Sequence, residues 1–339
     1  MKNMDVHPAK EPVIYVVEPY GGSVRKHMPT LPLIYWDDAG VTRGDGVFES
    51  LLVRGGKAAN LERHGKRFRD SAKAMDLPEP PLEKWEEATR LAIADFCRGD
   101  DDVEAKCTWT YTRGRASTGH PTAWVVVQPI APKVLEQRKK GVSVMTTPRL
   151  WQVAEELPAK TLNYAATMAT LRLAREKGCE DVIFTDGDSG LVLEGATSTV
   201  ISVKGKKLRT PAGPGILPGT TQAAVFDYAQ EQGYRCKAKE MTVDDLKSLI
   251  RCGLVSSVRV AGAVTSWMAK NLRPRITRRK SRTSLQQRCR ASPRCGSVLR
   301  TCKGASRHRP CARRPSRGCC SASDRTCACP GPGSSGRSR

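Results

Sequence analysis

The sequence predicts an α+β protein with two mixed domains, residues 12–128 and 141–272, followed by a basic tail over 273–339. Three observations carry that prediction. Strand-length apolar runs and helix-length amphipathic stretches occur together in each half, without the strict alternation of a parallel α/β fold. Residues 129–140, rich in proline and charge, separate the halves and read as a linker. Beyond about Arg273 the hydrophobic periodicity stops, and residues 273–339 contain no Phe, Trp or Tyr.

In chain order, the first domain opens with the apolar strand Val13–Val17, a turn at Gly21-Gly22 and a second strand over Leu33–Trp36. Residues 40–53, Gly-Val-Thr-Arg-Gly-Asp-Gly-Val-Phe-Glu-Ser-Leu-Leu-Val, form a glycine-punctuated loop feeding a strand. No helix follows directly, which argues against a phosphate loop. Leu61–Met75 is a helix, because Leu61, His64, Phe68, Ala72 and Met75 recur at helical spacing and mark a buried face. Arg67 falls on that face, where a guanidinium needs an anionic partner or must snorkel to the edge. His64 reads as a packed or capping imidazole. A second helix, Leu82–Cys97, starts after Pro80-Pro81 and leaves through Gly99. Strands at Val103–Thr112 and Thr122–Gln128 flank a polar loop that carries Arg113 and Arg115.

The second domain starts with the strand Val142–Thr147. A helix from Leu162 is expected to bury Leu162, Ala165, Ala166, Ala169 and Leu173, with Arg172, Arg175, Glu176 and Lys177 in water. Hairpins over 181–209 build an antiparallel sheet. Gly-Ile-Leu-Pro-Gly-Thr-Thr-Gln at 215–222 opens the helix Thr220–Gln232. Free backbone N–H groups and the hydroxyls of Thr220 and Thr221 make that N-terminus an anion site.

Two residues point to chemistry. Lys160 follows Leu-Pro-Ala and precedes an apolar helix, and Glu194 ends a Leu-Val-Leu run before a glycine. A lysine amine kept from water is a nucleophile able to form a Schiff base. One such lysine with one carboxylate in an apolar site suits pyridoxal phosphate, the acid pairing with the ring nitrogen. The order Lys-Thr-Leu-Asn-Tyr at 160–164, Asp-Val-Ile-Phe at 181–184, Leu-Glu-Gly-Ala-Thr-Ser at 193–198 and Gly-Ile-Leu-Pro-Gly-Thr-Thr at 215–221 resembles the fold-type IV pyridoxal phosphate enzymes. That family holds branched-chain and D-amino-acid aminotransferases and aminodeoxychorismate lyase, and the resemblance spans roughly residues 12–272.

The resemblance implies a branched-chain-aminotransferase-like fold, and a homodimer with pyridoxal 5'-phosphate between the two domains of each subunit. It implies Lys160 as the catalytic residue, carrying the cofactor and then acting as base, and Glu194 on the pyridine nitrogen. Tyr164 would meet the phenolic oxygen. Arg67, Thr220, Thr221 and Ser257 would hold the phosphate, with Ser256 as the alternative to Ser257. Phe48 would line the substrate side unless it is plain core; Arg113 and Arg115 read as solvated loop charges, and the family's similar Thr-Arg-Gly gives the alternative that one of them takes a substrate carboxylate. The Glu-Pro-Tyr-Gly-Gly start, the Gly40–Glu49 segment and Leu-Val-Ser-Ser-Val-Arg at 254–259 look like actinobacterial aminodeoxychorismate lyases. The implied reaction is release of pyruvate and 4-aminobenzoate for folate synthesis. A branched-chain or D-amino-acid aminotransferase is the second reading.

Charge supplies the rival from another class. Of the net charge of +23, residues 271–339 contribute +18, with 19 Lys and Arg against the single acid Asp324; the remaining +5 is ordinary. A basic nucleic-acid-binding tail is therefore conceivable, but it offers no aromatic stacking surface. Zinc is not expected, because Cys319-Cys320 and Cys327-Ala-Cys329 lack metal-ligand spacing. The tail instead reads as a disordered, out-of-frame C-terminus from a G+C-rich gene. The five cysteines before Cys289 show no paired spacing and read as reduced thiols of a cytoplasmic protein. No signal peptide and no membrane-spanning apolar run is expected.

Overall fold

In a computed structural model the structure describes residues 10–18, 22–149, 159–248 and 251–269. The expected tail lies outside the described residues, as does the Gly21 end of the first turn.

The first sheet contains β1 (Val13–Val17), β2 (Val24–His27), β3 (Gly46–Arg54), β4 (Lys57–Ala58), β5 (Ala105–Thr112) and β6 (Thr122–Pro129). Its order is β2-β1-β6-β5-β3-β4, and every neighbouring pair is antiparallel. The short helix α1 (Ala39–Arg43) precedes β3; α2 (Leu61–Ala74) and α3 (Leu82–Cys97) cover one face of the sheet. Alternation explains the burial. On β3, Val47, Leu51 and Val53 enter the core with Glu49, while Phe48 and Ser50 point to the other face. Phe68, Trp85 and Trp109 form that core's centre, Phe68 meeting Trp85 edge-on at 4.7 Å. The Trp109 indole N–H is satisfied by Thr89 Oγ1 at 2.7 Å.

After α4 (Pro132–Lys140) the second sheet holds β7 (Val142–Pro148), β8 (Asp181–Thr185), β9 (Val192–Gly195), β10 (Thr199–Lys204), β11 (Lys207–Thr210), β12 (Arg235–Ala238), β13 (Arg251–Ser256) and β14 (Val260–Ala269). Its order is β12-β11-β10-β13-β14-β7-β8-β9. Helices α5 (Ala165–Glu176), α6 (Thr220–Glu231) and α7 (Val243–Ser248) complete this half. Met145, Val182 and Phe184 pack under α5, while Ile183, Val192, Met241 and Leu246 form a core on the other face.

Several expectations need correction. Leu33–Trp36 is irregular, and the strand lies at Val24–His27, a polar edge strand with no apolar pattern to betray it. The linker expected at 129–140 contains α4: Pro132 occupies the first turn, and Arg138, Lys139 and Lys140 complement the helix C-terminus. Helix α5 starts three residues later than expected and buries Thr167, Leu171 and Ala174, leaving Ala165, Ala166 and Ala169 exposed. The second sheet is mixed, because β7 pairs parallel with β8 and with β14, and β11 with β12. The five described cysteines are free thiols.

Candidate active site

Lys160 is positioned by the first sheet although it follows the second sheet's first strand in sequence. Phe48 N–H donates to the Lys160 carbonyl at 3.0 Å, Leu162 N–H donates to Gly46 O at 2.9 Å, and Thr161 bridges Val47. From the other side Lys160 N–H donates to Ser71 Oγ of α2 at 3.1 Å. A side chain at position 46 would prevent this docking: a Cβ there would lie 2.7 Å from Tyr111 O and 2.8 Å from a Leu162 methyl. The Lys160 amine lies 4.2 Å from the centre of the Phe48 ring and 3.4 Å from the Tyr164 hydroxyl. Phe48 and Tyr164 meet edge to face at 5.3 Å.

These groups line one cavity of about 490 Å³, together with Arg67, Arg149, Glu194, Thr220, Thr221 and Ser257. Glu194 projects from β9, whose other residues are buried. Burial pushes its carboxyl up to about 7, against the opposing pulls of Arg149, the Leu217 N–H, Lys160 and Arg67. Arg149 Nη1 stands 3.4 Å from Glu194 Oε1, and Leu217 N–H donates to Oε2 at 3.3 Å.

Elsewhere in the cavity is an anion cradle. The N-terminus of α6 begins at Gly219 with no side-chain cap, so its first N–H groups are available. The Thr221 and Ser257 hydroxyls lie 3.4 Å apart; Ser257 Oγ is 3.2 Å and Thr220 Oγ1 3.3 Å from His64 Nε2. Behind them is a hydrogen-bonded cluster in which Glu49 and His64 are buried and Arg67 reaches the cavity. Glu49 accepts from Arg67 Nε at 2.7 Å and Nη2 at 2.8 Å, and from His64 Nδ1 at 2.7 Å. An ionised carboxylate only accepts, so His64 donates through Nδ1 and turns Nε2 to the hydroxyls. Burial alone would raise the Glu49 carboxyl; the hydrogen bonds from His64 and Arg67 outweigh it and hold it at about 2.

The structure therefore brings Phe48, Arg67, Lys160, Tyr164, Glu194, Thr220, Thr221 and Ser257 to a single cavity. Arg113 lies outside this lining and is tied to Asp45 at 2.7 Å and to the carbonyls of Met75 and Asp76. Arg115 is likewise engaged with Asp37 at 3.0 Å. Ser256 also lines the cavity, but its Oγ accepts from the Arg259 N–H and makes no contact with His64. Reasoning from sequence missed Glu49 as the Arg67 partner, His64 as the hydroxyls' neighbour, and Arg149 and Lys106 as lining residues. The first had a legible signal, since β alternation from Val47 to Val53 places Glu49 on the buried face. Arg149 and Lys106 had none.

The donor set has the chemistry of a phosphorylated pyridine aldehyde: an amine for the aldehyde, a phenol beside it, a carboxyl, and an uncapped helix with hydroxyls and a guanidinium for the phosphate. Comparison with known proteins agrees with that geometry. The family model "Amino-transferase class IV" matches residues 46–267. The chain is 41% identical over 254 residues to the bifunctional aminodeoxychorismate lyase / D-amino acid transaminase of Mycobacterium tuberculosis, covering 70% of this chain and 86% of that protein. A structure of a hypothetical aminotransferase from Mycobacterium tuberculosis, in a pyridoxal phosphate-bound form, superposes with a TM-score of 0.70 at 40% identity, covering 75% of this chain and 90% of the other. A fold IV transaminase from Curtobacterium pusillum superposes with a TM-score of 0.70 at 36% identity, covering 76% and 90%. By this family match and this identity, the chain belongs to the class IV amino-transferase family.

Proposed function

We propose that this protein is a pyridoxal phosphate-dependent 4-amino-4-deoxychorismate lyase, and that Lys160 is its catalytic residue. The observation that carries the reading is the convergence of the Lys160 amine and the Glu194 carboxyl on one cavity that also holds the uncapped α6 N-terminus. Arg67, Thr220, Thr221 and Ser257 hold the phosphate, Tyr164 the phenolic oxygen, Glu194 the ring nitrogen, and Phe48 packs on the substrate side. Pyridoxal phosphate, when bound, supplies the electron sink for a carbon that loses its proton. Lys160 takes that proton from the carbon bearing the substrate nitrogen. In the lyase reaction the proton goes to the enolpyruvyl group, the C–O bond breaks, and pyruvate and 4-aminobenzoate leave with no other reactant.

A second reading, transamination of D-amino or branched-chain acids with 2-oxoglutarate, is favoured by a specific observation. The Mycobacterium tuberculosis relative carries both activities in its name. Purified protein offered aminodeoxychorismate alone, then D-alanine or a branched-chain amino acid with 2-oxoglutarate, separates the two. Aminobenzoate without a keto acid supports the lyase; turnover only with a keto acid replaces it with the transaminase. A cytoplasmic homodimer is part of the same proposal. Among the described residues no helix is long and apolar enough to cross a membrane.

A further inference from the structure

A second cavity, of about 640 Å³, lies at the β12 edge of the second sheet and shares no lining residue with the active-site cavity. Strand alternation builds it. Val203, Leu208 and Cys236 pack with Phe226 and Ala229 of α6, so Lys204, Lys207 and Arg235, each one residue away, face the opposite side of β10, β11 and β12. Register then sets these three side by side: Lys204 is opposite Lys207, and Lys207 is opposite Arg235. Lys206 in the β10–β11 turn, Arg209 on β11 and Lys239 just past β12 bring the cations of the lining to six. The Lys239 backbone is fixed there, its N–H donating to Thr210 O at 3.0 Å and its carbonyl accepting from Ala212 N–H at 3.1 Å. Buried Met241, with Asp245 and Ser248 of α7, completes the wall. Like charges directly opposite on neighbouring strands repel, and here three stand in one row. Among the described residues no acid forms an ion pair with any of the six. Asp245, the one acid of the lining, accepts from the Thr242 N–H at 2.9 Å, and Asp244 beside it pairs with Lys247 at 3.7 Å. A concave site of one sign concentrates the opposite ion.

We infer that this cavity is a second binding site, for a linear oligophosphate anion held across the Lys204–Lys207–Arg235 row. Its volume falls within the roughly 300–1,000 Å³ of small-molecule sites. The row crosses two strand spacings, about 10 Å, which is more than one phosphate reaches and suits a chain of them. Lysine ammonium groups take phosphate oxygens as point charges, without demanding one fixed geometry. No Phe, Trp or Tyr lines the cavity, so nothing there stacks on a nucleobase, and the ligand is a bare chain. The inference stands apart from the proposed function, because none of these residues belongs to the active-site cavity.

The test titrates full-length holoenzyme calorimetrically, at about 0.15 M salt, with tripolyphosphate, orthophosphate and a single-stranded oligonucleotide. One variant combines Lys204→Ala, Lys207→Ala and Arg235→Ala. A control combines Lys73→Ala, Arg90→Ala and Lys139→Ala, which removes the same charge from exposed positions outside the cavity. Tripolyphosphate is expected to bind wild type at least ~10-fold more tightly than orthophosphate, to lose about 10- to 100-fold in the cavity variant, and to lose less than ~3-fold in the control. A thermal melt gives a second readout. Without ligand the cavity variant should melt no lower than wild type, since the repulsion in the row is gone. Tripolyphosphate should raise the midpoint of wild type and control and leave the cavity variant unmoved. Equal losses in the two variants assign the binding to net charge elsewhere on the basic chain and overturn the inference, as does an unchanged affinity in the cavity variant. An oligonucleotide that binds more tightly than tripolyphosphate, and only with the row intact, replaces the oligophosphate with nucleic acid. A protein that takes up no cofactor removes the proposed function alone, because the same variants are then compared as apoprotein.

Discussion

Glu49 and Glu194 are the same residue type with carboxyls moved in opposite directions, one to about 2 and the other to about 7. Their contributions to stability therefore have opposite pH windows. Glu49, depressed below its unfolded value of 4.5, contributes stability that is present above that pH and lost as pH falls toward about 2. Glu194, raised above the same value, contributes stability that is present below pH 4.5 and lost as pH rises through about 7. In apoprotein, Glu194→Gln should thus gain on wild type by roughly 3 kcal/mol between those limits. Urea midpoints across the pH range check it, and parallel curves for the two proteins would refute the burial argument. Glu49→Gln should instead cost about 3–5 kcal/mol near neutrality, because it strips the Arg67 guanidinium of its buried partner. Lys160→Ala should abolish the cofactor's visible absorbance and reduce turnover at least ~10³-fold.

At the scale of elements, the segment around Lys160 is held by β3 through two backbone hydrogen bonds and by α2 through Ser71. That docking depends on a bare backbone at Gly46, so Gly46→Ala should destabilise the fold by about 2 kcal/mol. It should also weaken cofactor uptake, because Lys160 shifts with the strand; a cofactor titration beside a thermal melt reads both. A stable variant with wild-type affinity would show that β3 does not position the lysine. The existence of β1, β3, β5, β6, α2 and α3 was legible because each pairs an apolar pattern with clear punctuation. Helix α4 and strand β2 were not, since one is short and basic and the other polar at a sheet edge. The face of α5 was misjudged for a related reason: its alanines and threonines are too small for hydrophobicity to reveal which side the sheet takes.

Over the whole molecule, the described residues leave large apolar side chains in water, with Trp36 83% and Tyr35 58% exposed, and Met28 and Leu31 also exposed within the same stretch of sequence. Exposed apolar side chains of this size are costly on a monomer, and the proposed homodimer would cover them. Sedimentation should give twice the 37.1 kDa chain mass, and Trp36→Ser should shift the distribution toward monomer. A wild-type monomer at micromolar concentration would set the homodimer aside.

The sequence by itself determined the element types that alternate cleanly, the family, and the residues whose motifs carry it: Lys160, Tyr164, Glu194, Thr220 and Thr221. Those follow from local pattern and spacing, which survive in one dimension. Only the tertiary structure decided that Glu49 braces Arg67 and His64, that Arg113 is tied to Asp45 outside the cavity lining, and that Lys106 lines the cavity with no acidic partner among the described residues. The reason is physical. Whether a charge is paired depends on which strand or helix lies against it, and here those partners stand as far apart in the chain as Arg259 and Asp181.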